Sequence, residues 1–238
     1  MKIVIIRHAD PNYTNGTLTK AGIAEVKALS AYYSDKDFDY IYCSPLNRAL
    51  LTAKAVIKKK KINIEPYLKE FIHSITYKGQ KHVTWDFLPT ELEDDLKDLN
   101  DINRYLDNKY FQQSAIKKKY QYVANNFDKT LAKYGYVREK NHYKVIKSNN
   151  KTIVFFCHSG VMAVMLSHLL HIPYTSITQH FWCPTSGVTI LASEERRKGI
   201  AQFRCLQYGS IVHLGIKNIK PTFSGRFCEQ YKDNTRHD

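Results

Sequence analysis

The chain has 238 residues, 43% of them hydrophobic, so it is long enough to bury a core of ordinary size. Lysine and arginine number 36 against 22 acidic residues, and the formal charge of +14 favours anionic partners such as phosphorylated metabolites, anionic lipid or nucleic acid. No apolar run approaches the roughly 20 residues that a membrane-spanning helix needs, which argues against a membrane protein. No charged segment precedes an apolar stretch at the start, so we expect no signal peptide.

The cysteines are five in number and follow no paired framework spacing. Three of them fall in apolar, strand-like stretches, where free cysteine behaves as a small buried hydrophobe. An odd and unpaired set fits a reducing compartment, so we expect a cytoplasmic protein. The five are Cys43, Cys157, Cys183, Cys205 and Cys228.

The first two strands predicted along the chain are each followed by a helix. Apolar residues at positions 3–6 form the first strand, and Tyr40–Cys43 form the second. Thr19 is expected to cap the first helix, while Ser44 and Pro45 are typical of the N-cap and first residue of the second. Apolar residues at helical spacing predict the buried faces: Ile23, Val26, Leu29 and Tyr33 in the first helix, and Leu46, Leu50, Ala53 and Ile57 in the second.

Residues from about 76 to 150 are polar and lack clear strand alternation, so we expect a helical cap insertion within a single domain that spans 1–238. Alternation of strand and helix resumes with a strand at 152–157, a helix from about Gly160 to His171, and strands at about 187–193 and 201–206. This pattern predicts an α/β architecture with a helical cap. The helix predicted in the insertion ends at Gly135 and carries Tyr120, Val123, Phe127, Leu131 and Tyr134.

Two of the predicted strands end on histidine. The first runs into Arg7 and His8, and the strand at 152–157 runs into His158 and Ser159. Because the carboxyl ends of neighbouring strands meet at one crevice in an open α/β sheet, we expect these side chains to converge. Two histidines and an arginine form a cationic pocket with a potential nucleophile, which predicts phosphoryl chemistry without a metal. Taken alone, the Arg7-His8 pair is more typical of a surface arginine beside a core histidine.

Each group in this pocket suits a definite role. Neutral His8 is a competent nucleophile, and the planar donors of Arg7 match phosphoryl oxygens. Arg48 lies near the positive end of its helix, where an arginine is favoured if an anion binds, although an exposed helix arginine is the alternative. A protonated His158 would stabilise the transferring oxygens. We do not interpret His158 as a metal ligand, because no carboxylate or second histidine stands at metal spacing beside it.

The leaving oxygen needs a proton, and Glu70 is the candidate acid. Apolar neighbours on both sides would raise its pKa, although an exposed loop glutamate is the alternative. Asp86, in a Trp-Asp-Phe stretch, is the reserve candidate. His168 and His171 are interpreted as packing or surface residues rather than as metal ligands.

Together these motifs resemble the histidine phosphatase superfamily, the group that includes cofactor-dependent phosphoglycerate mutase. Their order and spacing are specific, and weaker matches at 186–189 and 208–214 extend the resemblance over most of the chain outside the insertion. The carrying motifs are Arg7-His8-Ala9, Leu18-Thr19-x-x-Gly22, Ser44-Pro45-x-x-Arg48-Ala49-x-x-Thr52-Ala53, Leu68-x-Glu70 and His158-Ser159-Gly160.

The resemblance implies a phosphoglycerate mutase-like, three-layer sandwich with a mostly parallel central sheet. It also implies a phosphomonoesterase of the histidine acid phosphatase type that needs neither a metal nor a cofactor. His8 would be phosphorylated transiently, with Glu70 as acid and base, while Arg7, Arg48 and His158 would hold the phosphoryl group.

The loop after His8 departs from the family pattern. Ala9 replaces the usual glycine, and the stretch up to Leu18 is shorter than in the mutases and lacks their asparagine-containing signature. We expect Asn12, or its neighbours Tyr13 and Thr14, to take over a contact with a phosphate oxygen. The backbone of Ser159 is a further expected phosphate contact.

The expected partners are a small phosphorylated substrate and, as product, inorganic phosphate, with no membrane partner. Nucleic acid is not favoured, because no basic and aromatic recognition motif is present. A phosphomutase and a non-catalytic basic binding protein on the same fold remain alternatives, and the short loop argues against the mutase. A cysteine-based phosphatase fails, because no arginine follows a cysteine by six positions. An aspartate-based phosphatase would need a second aspartate where Asn12 stands. No sequence feature indicates an oligomeric state.

Overall fold

The structure is a computed structural model that describes residues 1–226 and 229–233. Its strands are β1 (Lys2–Arg7), β2 (Pro11–Asn12), β3 (Thr17–Leu18), β4 (Tyr40–Cys43), β5 (Ile62–Ile64), β6 (Ser74–Tyr77), β7 (Gln80–Val83), β8 (Tyr136–Glu139), β9 (His142–Val145), β10 (Thr152–Cys157), β11 (Val188–Arg197) and β12 (Ile200–Ser210). Its α-helices are α1 (Lys20–Tyr32), α2 (Asn47–Val56), α3 (Pro89–Glu93), α4 (Lys109–Gln112), α5 (Ile116–Ala132), α6 (Ser159–Leu170), α7 (Tyr174–His180) and α8 (Val212–Ile216). Short 3₁₀ turns lie at Asp35–Asp37, Pro66–Leu68, Lys97–Asn100 and Tyr105–Asp107.

Eight of the described strands form one mixed sheet in the order β5-β4-β10-β1-β11-β12-β9-β8. The first four are parallel to one another, and each later neighbour pairs antiparallel. Six of these eight strands therefore point in one direction, and β11 and β9 are antiparallel to them. The predicted α/β fold with a mostly parallel central sheet is therefore confirmed.

The two faces of the sheet bury separate apolar layers. Along β1, Ile3 and Ile5 face the layer that contains α5 and α6, whereas Val4 and Ile6 face the layer that contains α1 and α2. A strand exposes alternate side chains to opposite faces, so a strand covered on both sides must be apolar throughout. This explains the unbroken apolar runs of β1 and β10 and gives the three-layer architecture.

The sheet register brings the two histidine motifs together. Arg7 at the end of β1 lies opposite Cys157 at the end of β10, so the next residues, His8 and His158, leave the sheet side by side. The neighbouring strand β4 ends at Cys43, directly before Ser44. Three adjacent carboxyl ends therefore deliver the candidate site, as expected for an open α/β sheet.

The first helix is confirmed, but its buried face differs from the prediction. Thr19 caps α1, because its hydroxyl oxygen accepts a hydrogen bond from the Gly22 amide at 3.0 Å. Ile23 is 47% exposed, whereas Glu25 is fully buried. The carboxylate of Glu25 accepts hydrogen bonds from Thr185 Oγ1 and the Asp10 amide. The buried face of α1 therefore includes a polar network, where the apolar spacing predicted apolar packing alone.

The second helix starts later than predicted. Its N-cap is Leu46, and α2 begins at Asn47, so the prediction of Ser44 as N-cap was wrong. Arg48 is thus the second residue of α2 rather than one turn inside it. Leu46 and Leu50 are only half-buried, and the buried helix residues are Ala49, Thr52, Ala53 and Val56. Small residues on this face let α2 lie close to the sheet.

The region predicted as a helical cap contains strands as well. The helix α5 is present, and Gly135, with φ of +88°, follows it in the left-handed conformation that favours glycine. However, β6 and β7 form a hairpin at the start of the region, and β8 and β9 extend the main sheet at its end. Polar outer faces hide the alternation of these short strands. The later helix and strands are present, but β11 extends to Arg197 and β12 to Ser210, beyond the predicted ends, and the match at 208–214 divides between β12 and α8.

The structure also bears on the membrane and cysteine expectations. Within the described residues, no helix is both long and apolar enough to cross a membrane. Cys43, Cys157 and Cys183 are free and buried, while Cys205 is free and exposed. Cys228 lies outside the described residues.

Phe155 should be a major contributor to the stability of this core. It is fully buried in β10, with its ring stacked on Tyr42 and edge-on to Phe127 of α5. Phe155→Ala should lower the free energy of unfolding by about 3–5 kcal/mol, because it removes buried area and leaves a cavity. Urea denaturation measures this, with the half-exposed Tyr122→Ala as control, expected to change stability by less than about 0.5 kcal/mol. A Phe155→Ala protein as stable as the control would contradict the described packing.

Candidate active site

His8 is buried, and its hydrogen bonds fix which ring nitrogen is available. Nδ1 lies 2.8 Å from the carbonyl oxygen of Ala9, which can only accept, so Nδ1 carries the proton. Nε2 is therefore unprotonated, and it accepts a hydrogen bond from Arg48 Nε at 3.1 Å. The backbone is anchored as well, because the His8 amide donates to the Cys157 carbonyl at 2.9 Å. The arrangement presents the Nε2 lone pair beside a guanidinium group.

The surroundings of His8 disfavour its charged form. Burial, followed by the positive charge of Arg7 and with a smaller contribution from Arg48, lowers the pKa of His8 to about 3. An imidazole with such a pKa is neutral in any ordinary buffer. A neutral ring is the nucleophilic form.

His158 lies next to His8, with 5.0 Å between the ring centroids. Its Nε2 is 2.7 Å from the hydroxyl of Ser44, and that hydroxyl already accepts from the Leu46 amide. When the Ser44 hydroxyl donates its proton to Nε2, the His158 proton lies on Nδ1. Nδ1 is buried and has no hydrogen-bond partner among the described residues, so in this tautomer it is a donor beside His8.

The predicted protonation of His158 needs correction. Burial, then the proximity of His8 and of Arg48, lowers the pKa of His158 well below its ordinary value. The ring is therefore neutral in the free protein. It can still donate one hydrogen bond, through Nδ1–H, to an oxygen placed between the two histidines.

Glu70 sits at the N-terminus of α6. Its Oε1 accepts hydrogen bonds from the amides of Phe71 and Gly160, each at 2.9 Å, and from Val161 at 3.3 Å. These contacts fall on one oxygen, which leaves Oε2 as the oxygen suited to carry a proton. Burial raises the pKa of the Glu70 carboxyl, and the Phe71 amide and the two nearby arginines oppose that rise. A Cβ atom on Gly160 would lie 2.7 Å from Oε1, so only glycine permits this contact.

Both arginines are held close to the histidines. Arg7 is 6% exposed, and its guanidinium donates to the carbonyl of Cys183. Arg48 is tied to the turn after β1 by Thr52, whose hydroxyl accepts from the Ala9 amide at 3.0 Å and donates to the Arg48 carbonyl at 2.8 Å. The positive charges therefore have fixed positions around His8 and do not depend on flexible surface side chains.

A cavity of about 690 Å³ opens from this cluster. Arg7, Glu70 and Ser159 are among its lining residues, so the structure brings these three expected site residues to one space. Asp86 also lines it, but as an exposed residue of the rim, whereas Glu70 is the carboxyl beside the histidines. Among the described residues, Glu70 is thus the better placed acid.

Of the three candidates in the loop after His8, the structure places Tyr13 rather than Asn12 or Thr14 at the cavity. Asn12 is not among the cavity-lining residues, and its side-chain oxygen accepts from the Thr14 amide at 3.0 Å within the turn. Tyr13 lines the cavity instead, with its ring 5.8 Å from the Arg48 guanidinium carbon. The loop therefore presents an aromatic residue rather than an amide to the site.

No carboxylate or second histidine stands beside His158 in the sequence, but the fold brings both to it. Donor atoms of His8, Glu70 and His158 lie within 4.8 Å of one another, and these are residue types that zinc accepts. The same space is bordered by the guanidinium groups of Arg7 and Arg48, and burial together with these charges lowers the pKa of both histidines. A field that repels a proton from imidazole also repels a cation and attracts an anion.

The comparison with family models agrees with this geometry. A model of the histidine phosphatase superfamily, branch 1, matches residues 3–104, the part that holds Arg7, His8, Arg48 and Glu70. This stretch of the chain is similar to the histidine phosphatase superfamily. His158 lies beyond the matched stretch, and the fold brings it to the same place.

Proteins similar to this chain include several phosphatases. Phosphoserine phosphatase 1 of Hydrogenobacter thermophilus is 25% identical over 226 residues, covering 90% of this chain and 95% of that protein. A mutant phosphoserine phosphatase from Entamoeba histolytica, solved with phosphoserine, is 20% identical with a TM-score of 0.59, over 90% of this chain and 98% of that one. The α-ribazole phosphatase of Shigella flexneri is 20% identical with a TM-score of 0.55, over 89% and 98%. The solved structures show the likeness of fold, and each of these similar proteins is named as a phosphatase.

Two features of the site were missed by the sequence analysis. Ser44 was interpreted as a helix cap, yet its hydroxyl positions His158. Arg226, from the C-terminal segment, also lines the cavity and was not singled out. The motif that contains Ser44 could be recognised in the sequence. Its partner His158 is 114 residues away, and no pattern of neighbouring residues predicts such a contact.

The state of His8 can be tested by NMR. Because its pKa is lowered to about 3, the ring should stay neutral, with its proton on Nδ1, between about pH 5 and pH 8. Nitrogen-edited spectra of the imidazole, assigned by comparison with His8→Asn, should show no titration in that range. A His8 resonance that titrates near the ordinary histidine pKa of about 6.5 would contradict the described environment.

Proposed function

We propose that this protein is a metal-independent phosphomonoesterase that forms a phosphohistidine on Nε2 of His8. The observation that carries the proposal is the pair of hydrogen bonds on the His8 ring. Nδ1 donates to the Ala9 carbonyl, and Nε2 keeps its lone pair beside Arg48. A neutral and oriented imidazole in a cationic pocket is suited to attack phosphorus.

In the first step, His8 Nε2 forms a bond to phosphorus while the bond from phosphorus to the ester oxygen breaks. The departing oxygen takes a proton from Glu70, whose pKa is raised by burial, so the product leaves as an alcohol. The phosphoryl group is then bonded to His8, and Glu70 is a carboxylate.

In the second step, water attacks the phosphorus of phosphohistidine. Glu70, now a base, takes a proton from that water, and the bond between phosphorus and Nε2 breaks. Inorganic phosphate leaves, while Glu70 is protonated and His8 is free again. The same carboxyl group therefore serves both half-reactions, and no metal is required to generate the nucleophile.

The phosphoryl oxygens are stabilised by groups that are already in place. Arg7 and Arg48 supply positive charge, and His158 supplies the Nδ1–H donor that has no partner in the described protein. When an anion binds, the Arg48 donor that rests on His8 Nε2 can turn to a phosphoryl oxygen, which frees the lone pair for attack. Donors that are fixed before reaction, as the Arg7 guanidinium is by the Cys183 carbonyl, need no reorganisation and contribute most to such catalysis.

A phosphomutase and a basic binding protein are the alternatives. A mutase would require a bisphosphate primer and return the phosphoryl group to substrate, whereas a hydrolase releases inorganic phosphate to water. A binding protein would be inactive on phosphoesters and would bind RNA with a steep salt dependence. The arrangement of His8, Glu70 and His158 favours catalysis over simple binding, because anion binding alone does not need an acid next to a neutral imidazole.

His8→Asn should lower phosphate release from a phosphomonoester by at least about 10³-fold, because the nucleophile is lost. Arg48→Ala should cost about 10²–10³-fold, as for one preorganised donor. Phosphate release from phosphoserine and a nitrophenyl phosphate, with and without EDTA, measures both effects. Full activity of His8→Asn would refute the nucleophile, and loss of wild-type activity in EDTA would refute the metal-independent reaction.

Glu70→Gln should separate substrates by their leaving group. For an alkyl phosphate, kcat/KM should fall by about 10²–10⁴-fold, because an alkoxide leaves poorly without a proton. For nitrophenyl phosphate, whose anion leaves unaided, kcat/KM should fall much less. Asp86→Asn is the matched control and should leave the ratio between the two substrates unchanged. Equal losses on both substrates in Glu70→Gln would exclude this carboxyl as the acid.

A further inference from the structure

Both tryptophans of the chain line the cavity that contains Glu70. Trp85 comes from the loop after β7, and Trp182 comes from the segment between α7 and β11. Phe87, Phe181 and Tyr208 add three more aromatic rings to the same lining. Beyond the phosphate-binding end, the walls are therefore aromatic, although the protein as a whole is strongly basic.

Several of these rings are held in place by their neighbours. The guanidinium carbon of Arg226 lies 4.7 Å from the centre of a Trp182 ring. Phe181 meets Tyr208 edge-on at 5.3 Å, and the Tyr208 hydroxyl donates to the Phe181 carbonyl at 3.2 Å. A wall that is ordered before binding loses little conformational entropy when a ligand covers it.

The wall is also exposed in the free protein. Trp85 is 38% exposed, Phe181 is 49% exposed and Leu88 is 61% exposed, and all three line the cavity. Grouped exposed apolar side chains in a concave site are typical of ligand-binding surfaces. A ligand gains affinity here only if it carries apolar surface to cover them.

The size of the cavity argues against a small substrate. Its volume of about 690 Å³ is within the range of sites that enclose drug-sized ligands. A substrate such as phosphoserine consists of a phosphoryl group and a short polar chain. Bound to Arg7 and Glu70, such a molecule would leave most of the aromatic wall in contact with water.

We infer that the natural substrate is a phosphomonoester whose alcohol carries an aromatic ring system, as a nucleoside does. The ring lies against the wall formed by Trp85, Phe181 and Trp182, while the phosphoryl group occupies the site around His8. This inference rests on the proposed phosphomonoesterase function and specifies its substrate class.

The test compares pairs of esters that differ only in the ring. Adenosine 5′-monophosphate is paired with ribose 5-phosphate, and phenylethyl phosphate is paired with ethyl phosphate, so that each pair has closely similar reactivity at phosphorus. At least one pair should show kcat/KM about 10- to 100-fold higher for the ester with the ring, the effect of one or two aromatic contacts.

Variants then locate the effect. Trp85→Ala and Phe181→Ala should each reduce that preference several-fold, because kcat/KM falls more for the esters with the ring than for ribose 5-phosphate and ethyl phosphate. Tyr122→Ala, which removes an exposed aromatic ring of α5 that is not among the lining residues, is the matched control and should change neither. Circular dichroism verifies that each variant is folded.

The outcomes separate the inference from the proposed function. If the wild-type protein hydrolyses none of the four esters and no other phosphomonoester, the proposed function fails. If it hydrolyses them but neither pair shows a preference for the ring, the substrate class is wrong while the function stands. A preference that survives in both Trp85→Ala and Phe181→Ala would overturn the assignment of the aromatic wall as the binding surface.

Discussion

The hydrogen bond from His8 Nδ1 to the Ala9 carbonyl, 2.8 Å long, determines which nitrogen of the ring can react. The bond joins two neighbouring residues directly after β1. The end of this strand therefore fixes the orientation of the imidazole. The neighbouring groups fit this orientation, because Arg48 donates to Nε2 and the His158 ring lies beside that of His8. A protonated Nδ1 and a free Nε2 make His8 a directed nucleophile, whereas the opposite tautomer would direct its lone pair at the backbone.

The cost of this arrangement is the burial of a polar and positively charged cluster, and the fold offsets it in two ways. The histidines remain neutral, since burial and the nearby arginines lower the pKa of both rings. Backbone groups meet part of the remaining charge: the Cys183 carbonyl accepts from Arg7, and amides at the start of α6 donate to Glu70. Arg7 Nε and His158 Nδ1 keep no hydrogen-bond partner among the described residues, so the free protein holds buried polar groups that an anion can satisfy.

The features of the site that could be predicted from the sequence are those with a pattern in neighbouring residues. Apolar runs ending in Arg7-His8 and in His158 located two of the strands and their convergence, because sheet topology brings strand ends together. Local signals were insufficient where a polar residue acts over a long distance, as in the contact between Ser44 and His158. They also missed the short strands with polar outer faces between residues 74 and 145, of which β6 and β7 pair with each other and β8 and β9 join the main sheet. The aromatic wall was invisible for the same reason, since Trp85 and Trp182 are almost 100 residues apart.

The central claim is that the phosphoryl group is transferred twice, first to His8 and then to water. The stereochemical course at phosphorus measures this most directly. A substrate whose phosphoryl group is made chiral with oxygen isotopes would be transferred to an acceptor alcohol that replaces water, and the configuration of the product would be determined by phosphorus NMR. Each in-line displacement inverts phosphorus, so two transfers predict overall retention. Overall inversion would mean a single transfer without a phosphohistidine, and it would contradict the account.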